Sequence, residues 1–101
     1  MNKVIRDGKV AVLISYGYGG GFYTWGAPPE AIFDPKLVEL IESEDFDGAE
    51  EYVMSTYQDV YTGGVEDLEV VWVDEGEEFI INEYDGSESI QLKSKTQWIT
   101  A

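Results

Sequence analysis

Residues 10–14, Val-Ala-Val-Leu-Ile, are apolar at every position. A strand that hides one face alternates, whereas one apolar throughout is buried on both, so this segment predicts a central strand. Val4-Ile5-Arg6 precedes it across Asp7-Gly8, a two-residue turn that tolerates positive φ at both central positions, and the pair reads as a hairpin. Farther on, Leu37, Val38, Leu40 and Ile41 form a helical stripe behind Asp34-Pro35, an N-cap followed by proline at the first helical position. That helix is expected to end near Ser43. A second is expected after Asp47, over Gly48 to Tyr57, with Ala49, Tyr52 and Val53 inward and Thr56 and Tyr57 as further inward candidates.

The Gly63-Gly64 pair closes the helical region, and strand character returns in Leu68-Glu69-Val70-Val71-Trp72-Val73. Glu78 to Tyr84 reads as its hairpin partner after Asp74-Glu75-Gly76, and Asp85-Gly86 turns the chain into Ser87 to Leu92. The last nine residues, 93–101, are more polar, so fraying or a short strand ending at Trp98 and Ile99 is expected. These elements predict one α+β domain over 1–101. Its architecture is a mostly antiparallel sheet of about five strands with two short helices on one face.

Composition narrows the chemistry. The chain has no Cys and no His, which removes disulfides, Cys/His zinc sites, thiol nucleophiles and imidazole bases. With 44% hydrophobic residues it can build a core without staples. No apolar run approaches a membrane span, and Asp7, Gly8 and Lys9 interrupt any leader-like stretch, so a soluble cytoplasmic protein is expected. The formal charge is −15, and the bases lie mostly at the two ends. Between Val10 and Leu92 there are twenty acids and one base, Lys36, a charge of −19. Such a field repels nucleic acid and anionic membrane and attracts basic surfaces. It also keeps a small protein soluble, which accounts for the charge without any partner.

Familiar motifs fail on detail. Gly17-Tyr18-Gly19-Gly20-Gly21-Phe22 places Phe22 where a dinucleotide loop needs its third glycine, and Pro28-Pro29 interrupts the helix that should follow at once. Aligning Gly48 with the sixth position of a calcium loop puts Met54 at the twelfth, where a bidentate carboxylate is required. Acid pairs such as Glu77/Glu78 or Glu83/Asp85 arise by chance at this acid density. A non-enzymatic protein without cofactor or metal is therefore expected.

The segment Ser15 to Pro29 is the unusual feature, with five glycines and five aromatics. Glycines let backbone N–H groups close around an anion, and aromatic faces stack planar rings. The same composition suits aromatics that cap the end of a sheet above tight turns. On the ligand reading the candidate binding residues are Tyr16, Gly17, Tyr18, Gly19, Gly20, Gly21, Phe22, Thr24 and Trp25. Trp72, Tyr84, Asp85 and Ser87 form a second wall, carboxylates and hydroxyls of the 83–88 turn meet sugar hydroxyls, and Arg6, Lys9 or Lys36 supplies positive charge.

Two sets of residues together resemble a group of small uncharacterised acidic proteins encoded by tailed phages and prophages. The first is Val10-Ala11-Val12-Leu13 with Ser15-x-Gly17-x-Gly19-x-Gly21-x-x-Thr24-Trp25; the second runs from Leu68 through Trp72-Val73, Glu75-Gly76, Phe79, Ile81 and Glu83 to Glu88. Phe33-Asp34-Pro35-x-Leu37-Val38-Glu39 and Tyr61-x-Gly63-Gly64 fit the same group, and the likeness spans most of residues 9–90. It implies a setting, the cytoplasm of an infected bacterium, and a role against a host system. One expectation is a non-enzymatic binder of a nucleotide-type small ligand, acting as a sponge for a defence signal, with a homo-oligomer deepening the pocket. The alternative is an acidic mimic that occupies the basic nucleic-acid-binding surface of a host protein, using Glu39, Glu42, Glu44, Asp45, Asp47, Glu50 and Glu51 around the two helices.

Overall fold

The structure, a computed structural model, describes residues 2–93 of the 101-residue chain; the expected terminal strand at Trp98 and Ile99 lies outside them. The order is β1 (Ile5–Arg6), β2 (Lys9–Ser15), α1 (Pro29–Phe33), α2 (Pro35–Glu42), α3 (Phe46–Thr56), β3 (Leu68–Asp74), β4 (Phe79–Tyr84) and β5 (Ser87–Leu92). Single 3₁₀ turns occupy Tyr23–Trp25 and Val65–Asp67. All five strands pair antiparallel, so the α+β class holds, with the strands divided between two sheets.

β2 is the centre of the three-stranded sheet β1-β2-β3, and Val10 to Ser15 are all buried. It pairs with β3 along its full length, from Lys9 opposite Asp74 to Ser15 opposite Leu68. Both Asp-Gly turns form as the residues require: Asp7 and Gly8 have φ of 52° and 76°, Asp85 and Gly86 50° and 88°. The expected pairing of β3 with β4 does not form. The Glu75 amide donates to the Gly8 carbonyl at 2.9 Å, tying the end of β3 to the β1–β2 turn. Glu77 N then turns back to Asp74 O, and β4 leaves to pair with β5 alone.

α1 and α2 pack against β2, α2 also against β3, and α3 lies on α2. α2 starts at Pro35 behind its Asp34 cap and ends before Ser43, as the stripe predicts. α3 starts at Phe46, earlier than expected, because Asp45 caps it by accepting from Gly48 N at 3.0 Å. Ala49 and Val53 face the core, and Tyr52 and Tyr57 are half-buried; Thr56 is exposed. The sequence gives no helical stripe for α1, since it is only five residues long, but its start at Pro29 suits proline's fixed φ.

Asp34 does more than cap. Its Oδ1 accepts from Lys36 N and Leu37 N at 2.9 and 3.2 Å, while Oδ2 accepts from the hydroxyls of Tyr52 and Tyr57 at 2.8 and 2.5 Å. One carboxylate thus joins the start of α2 to the body and end of α3. Burial raises the pKa of both phenols, and the adjacent Asp34 charge raises them further. A raised folded-state pKa means the native state keeps its proton after the unfolded chain has lost it. Stability is therefore complete below pH about 10, the ordinary tyrosine value, and falls as pH rises above it. Urea unfolding across alkaline pH is expected to show this decline in the wild type and a shallower one in Tyr57→Phe; identical slopes would contradict the shared-carboxylate account.

Candidate functional site

The glycine-rich segment after β2 is a clasp closed around a carboxylate from β5. Glu88 is only 2% exposed, and all its partners lie in or beside the loop. Oε1 accepts from Ser15 N at 2.9 Å. Oε2 accepts from Phe22 N at 3.1 Å, Thr24 N at 2.7 Å and Thr24 Oγ1 at 2.7 Å. Burying a carboxylate without a cation is costly unless donors replace its water, and four donors do so here. The amides that hold it belong to Ser15, Phe22 and Thr24, which flank the glycines, and the acceptor is the protein's own side chain.

Close backbone approach explains the glycines best at two positions. A Cβ on Gly86, which also needs positive φ, would stand 2.5 Å from Gly20 N. A Cβ on Gly64 would collide with the Gly20 carbonyl. The loop, the 63–64 pair and the β4–β5 turn therefore meet backbone to backbone. Further bonds fasten them: Gly19 N to Asp85 O, Ser87 Oγ to Tyr16 O at 2.8 Å, and Ser15 Oγ to Gly20 O.

The sequence-predicted residues divide by what remains outside the clasp. Phe22 is wholly buried and offers no face to a ligand; Gly20 and Gly21 are buried with it. Gly17 packs on the Asp67 carboxylate, and the Thr24 donors are taken by Glu88. Trp72 does not join the group. It pairs with Ala11, four positions along β2 from Ser15 and so roughly 13 Å away, under the Arg6 guanidinium at 5.2 Å from its ring centroid. Arg6 in turn is held by Glu42 at 2.7 and 2.9 Å, at the α2 end of the sheet.

Outside the clasp lies an aromatic rim. Tyr18 and Tyr84, 75% and 73% exposed, meet edge to face at 6.4 Å, with Tyr16 exposed nearby. Trp25 lies on Tyr61 at 5.1 Å, and its Nε1 donates to Glu83 Oε2 at 3.2 Å; the same oxygen accepts from Gly86 N at 2.7 Å. Asp85, next to Tyr84, is exposed beside these rings. Tyr61 was not among the predicted residues; Glu83 and Glu88 fell within the 83–88 turn expected to meet sugar hydroxyls, but their carboxylates bind the protein's own donors. For Glu88 a signal existed, because alternation along β5 puts Glu88, Ile90 and Leu92 on the same face.

Among the described residues, no group of three or more carboxylates is placed to hold a metal ion, and no helix is long and apolar enough to cross a membrane. No protein family, curated protein or solved structure matches the chain.

Glu88→Gln keeps the size of the side chain but turns an acceptor into an NH₂ facing donors. It is expected to destabilise the protein by about 2–4 kcal/mol in urea unfolding, the range for losing charged hydrogen bonds and stranding buried amides. A change below about 0.5 kcal/mol, the scatter of ordinary surface substitutions, would mean that the clasp does not hold the loop.

Proposed function

We propose that this is a non-enzymatic binding protein that engages a basic, nucleic-acid-binding surface on a partner protein through the aromatic rim. The observation that carries this reading is the occupancy of the Ser15, Phe22 and Thr24 amides by Glu88. An external phosphate would have to displace an internal carboxylate held by four donors, and would do so against the −15 charge of the whole chain. The groups turned outward are instead π-faces and carboxylates: Tyr18, Tyr84, Trp25 and Tyr61 with Glu83 and Asp85.

That combination suits Arg and Lys, which pair with carboxylates and lie over aromatic faces. Tyr and Trp are also the residues that anchor protein interfaces, with little side-chain entropy to lose. The acids of α2 and α3 add long-range attraction without having to touch the partner. The resemblance to phage-encoded proteins supports an infected bacterial cell as the setting and a host nucleic-acid-binding protein as the partner. A nucleotide-type ligand retains only the stacking faces in its favour.

Tagged protein recovered from infected cells is expected to carry a basic host protein that rising salt strips away. The Tyr18→Ala/Tyr84→Ala double variant is expected to bind that partner at least about tenfold more weakly with unchanged folding. Native mass spectrometry showing a retained nucleotide and no salt-sensitive protein partner would overturn the reading.

A further inference from the structure

A groove of about 320 Å³ runs between the first helix and β4. One wall is Tyr23, Pro29 and Phe33; the other is Phe79, Ile80 and Ile81. Successive strand side chains point to opposite faces. A groove lined by three consecutive strand residues therefore follows the backbone edge of β4 and not one of its faces. Ile80 is 57% exposed there, a large apolar side chain at the rim of an apolar groove.

The edge itself is open among the described residues. β4 pairs only with β5, in the register Tyr84 opposite Ser87 through Phe79 opposite Leu92. A two-residue Asp-Gly turn makes Tyr84/Ser87 a hydrogen-bonded pair, and such pairs alternate along an antiparallel ladder. The bond from Lys93 N to Glu78 O at 2.8 Å fits the same alternation. Asn82 and Ile80 thus turn their amides and carbonyls toward β5, while Phe79, Ile81 and Glu83 turn theirs away. Among the described residues no backbone partner faces those outward groups.

We infer that this edge and groove form a strand-addition site for an extended apolar segment of another protein, flanked by Lys or Arg. Main-chain bonds to Phe79, Ile81 and Glu83 give the segment its register, and the groove receives its alternate side chains. The flanking charge follows from the surroundings: Glu30 is exposed in the first turn of α1 on the opposite wall, and Glu83 and Asp85 stand at the far end of β4. At the Phe79 end Asp74, Glu77 and Glu78 outnumber Lys3, which lies over Phe33, and Lys93. A second copy of this chain would bring another −15 to the same edge, whereas a basic-flanked segment is drawn to it. The inference does not use the ring faces of the aromatic rim, with which it shares only Glu83 and Asp85.

The test uses the synthetic nonapeptide KKVTVIVKK, with EEVTVIVEE and the proline-interrupted KKVTPIVKK as controls. Binding is followed by fluorescence polarisation and by amide hydrogen exchange. The basic-flanked peptide is expected to bind and to slow exchange at Phe79, Ile81 and Glu83, while both controls bind roughly tenfold more weakly or worse. Ile81→Pro removes an outward amide at an edge position where proline is tolerated, and Ile80→Glu charges the exposed rim. Each is expected to reduce peptide affinity by at least about tenfold with unchanged circular dichroism, and Tyr18→Ala leaves it unaltered. Binding without protection of those three amides, binding unaffected by either β4 variant, or no binding would overturn the proposal. Protection of the same amides by concentration-dependent self-association would also overturn it, in favour of a second copy.

Discussion

A buried carboxylate with no cation beside it among the described residues organises the end of this protein where the chain is least regular. Glu88 enters from β5 and draws in Ser15 at the end of β2, Phe22 within the loop and Thr24 in the following 3₁₀ turn. Donors so far apart in sequence can satisfy one anion only if the loop folds back over the strand. That requirement presses Gly20 against Gly64 and Gly86 and leaves no room for side chains between them. The β4–β5 hairpin gains most. A two-stranded hairpin is marginal alone, and this one shares no strand pairing with the main sheet, so Glu88 and the Gly19–Asp85 bond are its polar fasteners to β2 and the loop.

The same solution appears at the other end of the core. Asp34 is also buried, and its partners are likewise neutral donors: two amides and two phenol hydroxyls. The chain has 21 acids and 6 bases, and the ion pairs among the described residues lie at the surface, so none of them neutralises either buried carboxylate. Arg6 is spent on Glu42, and Lys93 on Glu78. Backbone N–H groups and tyrosine hydroxyls take that role inside, and solvent takes it outside.

The regular elements were legible because they obey period and capping rules. β2 showed as an unbroken apolar run, α2 as a stripe behind Asp34-Pro35, and both hairpin turns as Asp-Gly. What was not legible depends on contacts distant in sequence. Nothing local separates a β3–β4 hairpin from two strands in different sheets; the Glu75–Gly8 bond, across 67 positions, decides it. Trp72 looked like a wall of the loop's pocket because aromatics suggest one another, but strand register sends it to Arg6 and Glu42 instead.

The loop presents the harder case, because a glycine-rich amide cluster has the same sequence signature whether its anion is foreign or its own. Glycines, a strand before them and aromatics around them specify donors that converge; they do not specify the acceptor. The discriminating feature lay more than sixty residues away, in an acid that keeps step with Ile90 and Leu92 on the inner face of β5. An acid at an inward strand position needs donors, and a loop of free amides needs an acceptor. Each unmet need was visible alone, and folding joins them. Once the cluster is filled from within, what the surface offers a partner is the complement of what the clasp has consumed: ring faces, carboxylates and an unpaired strand edge.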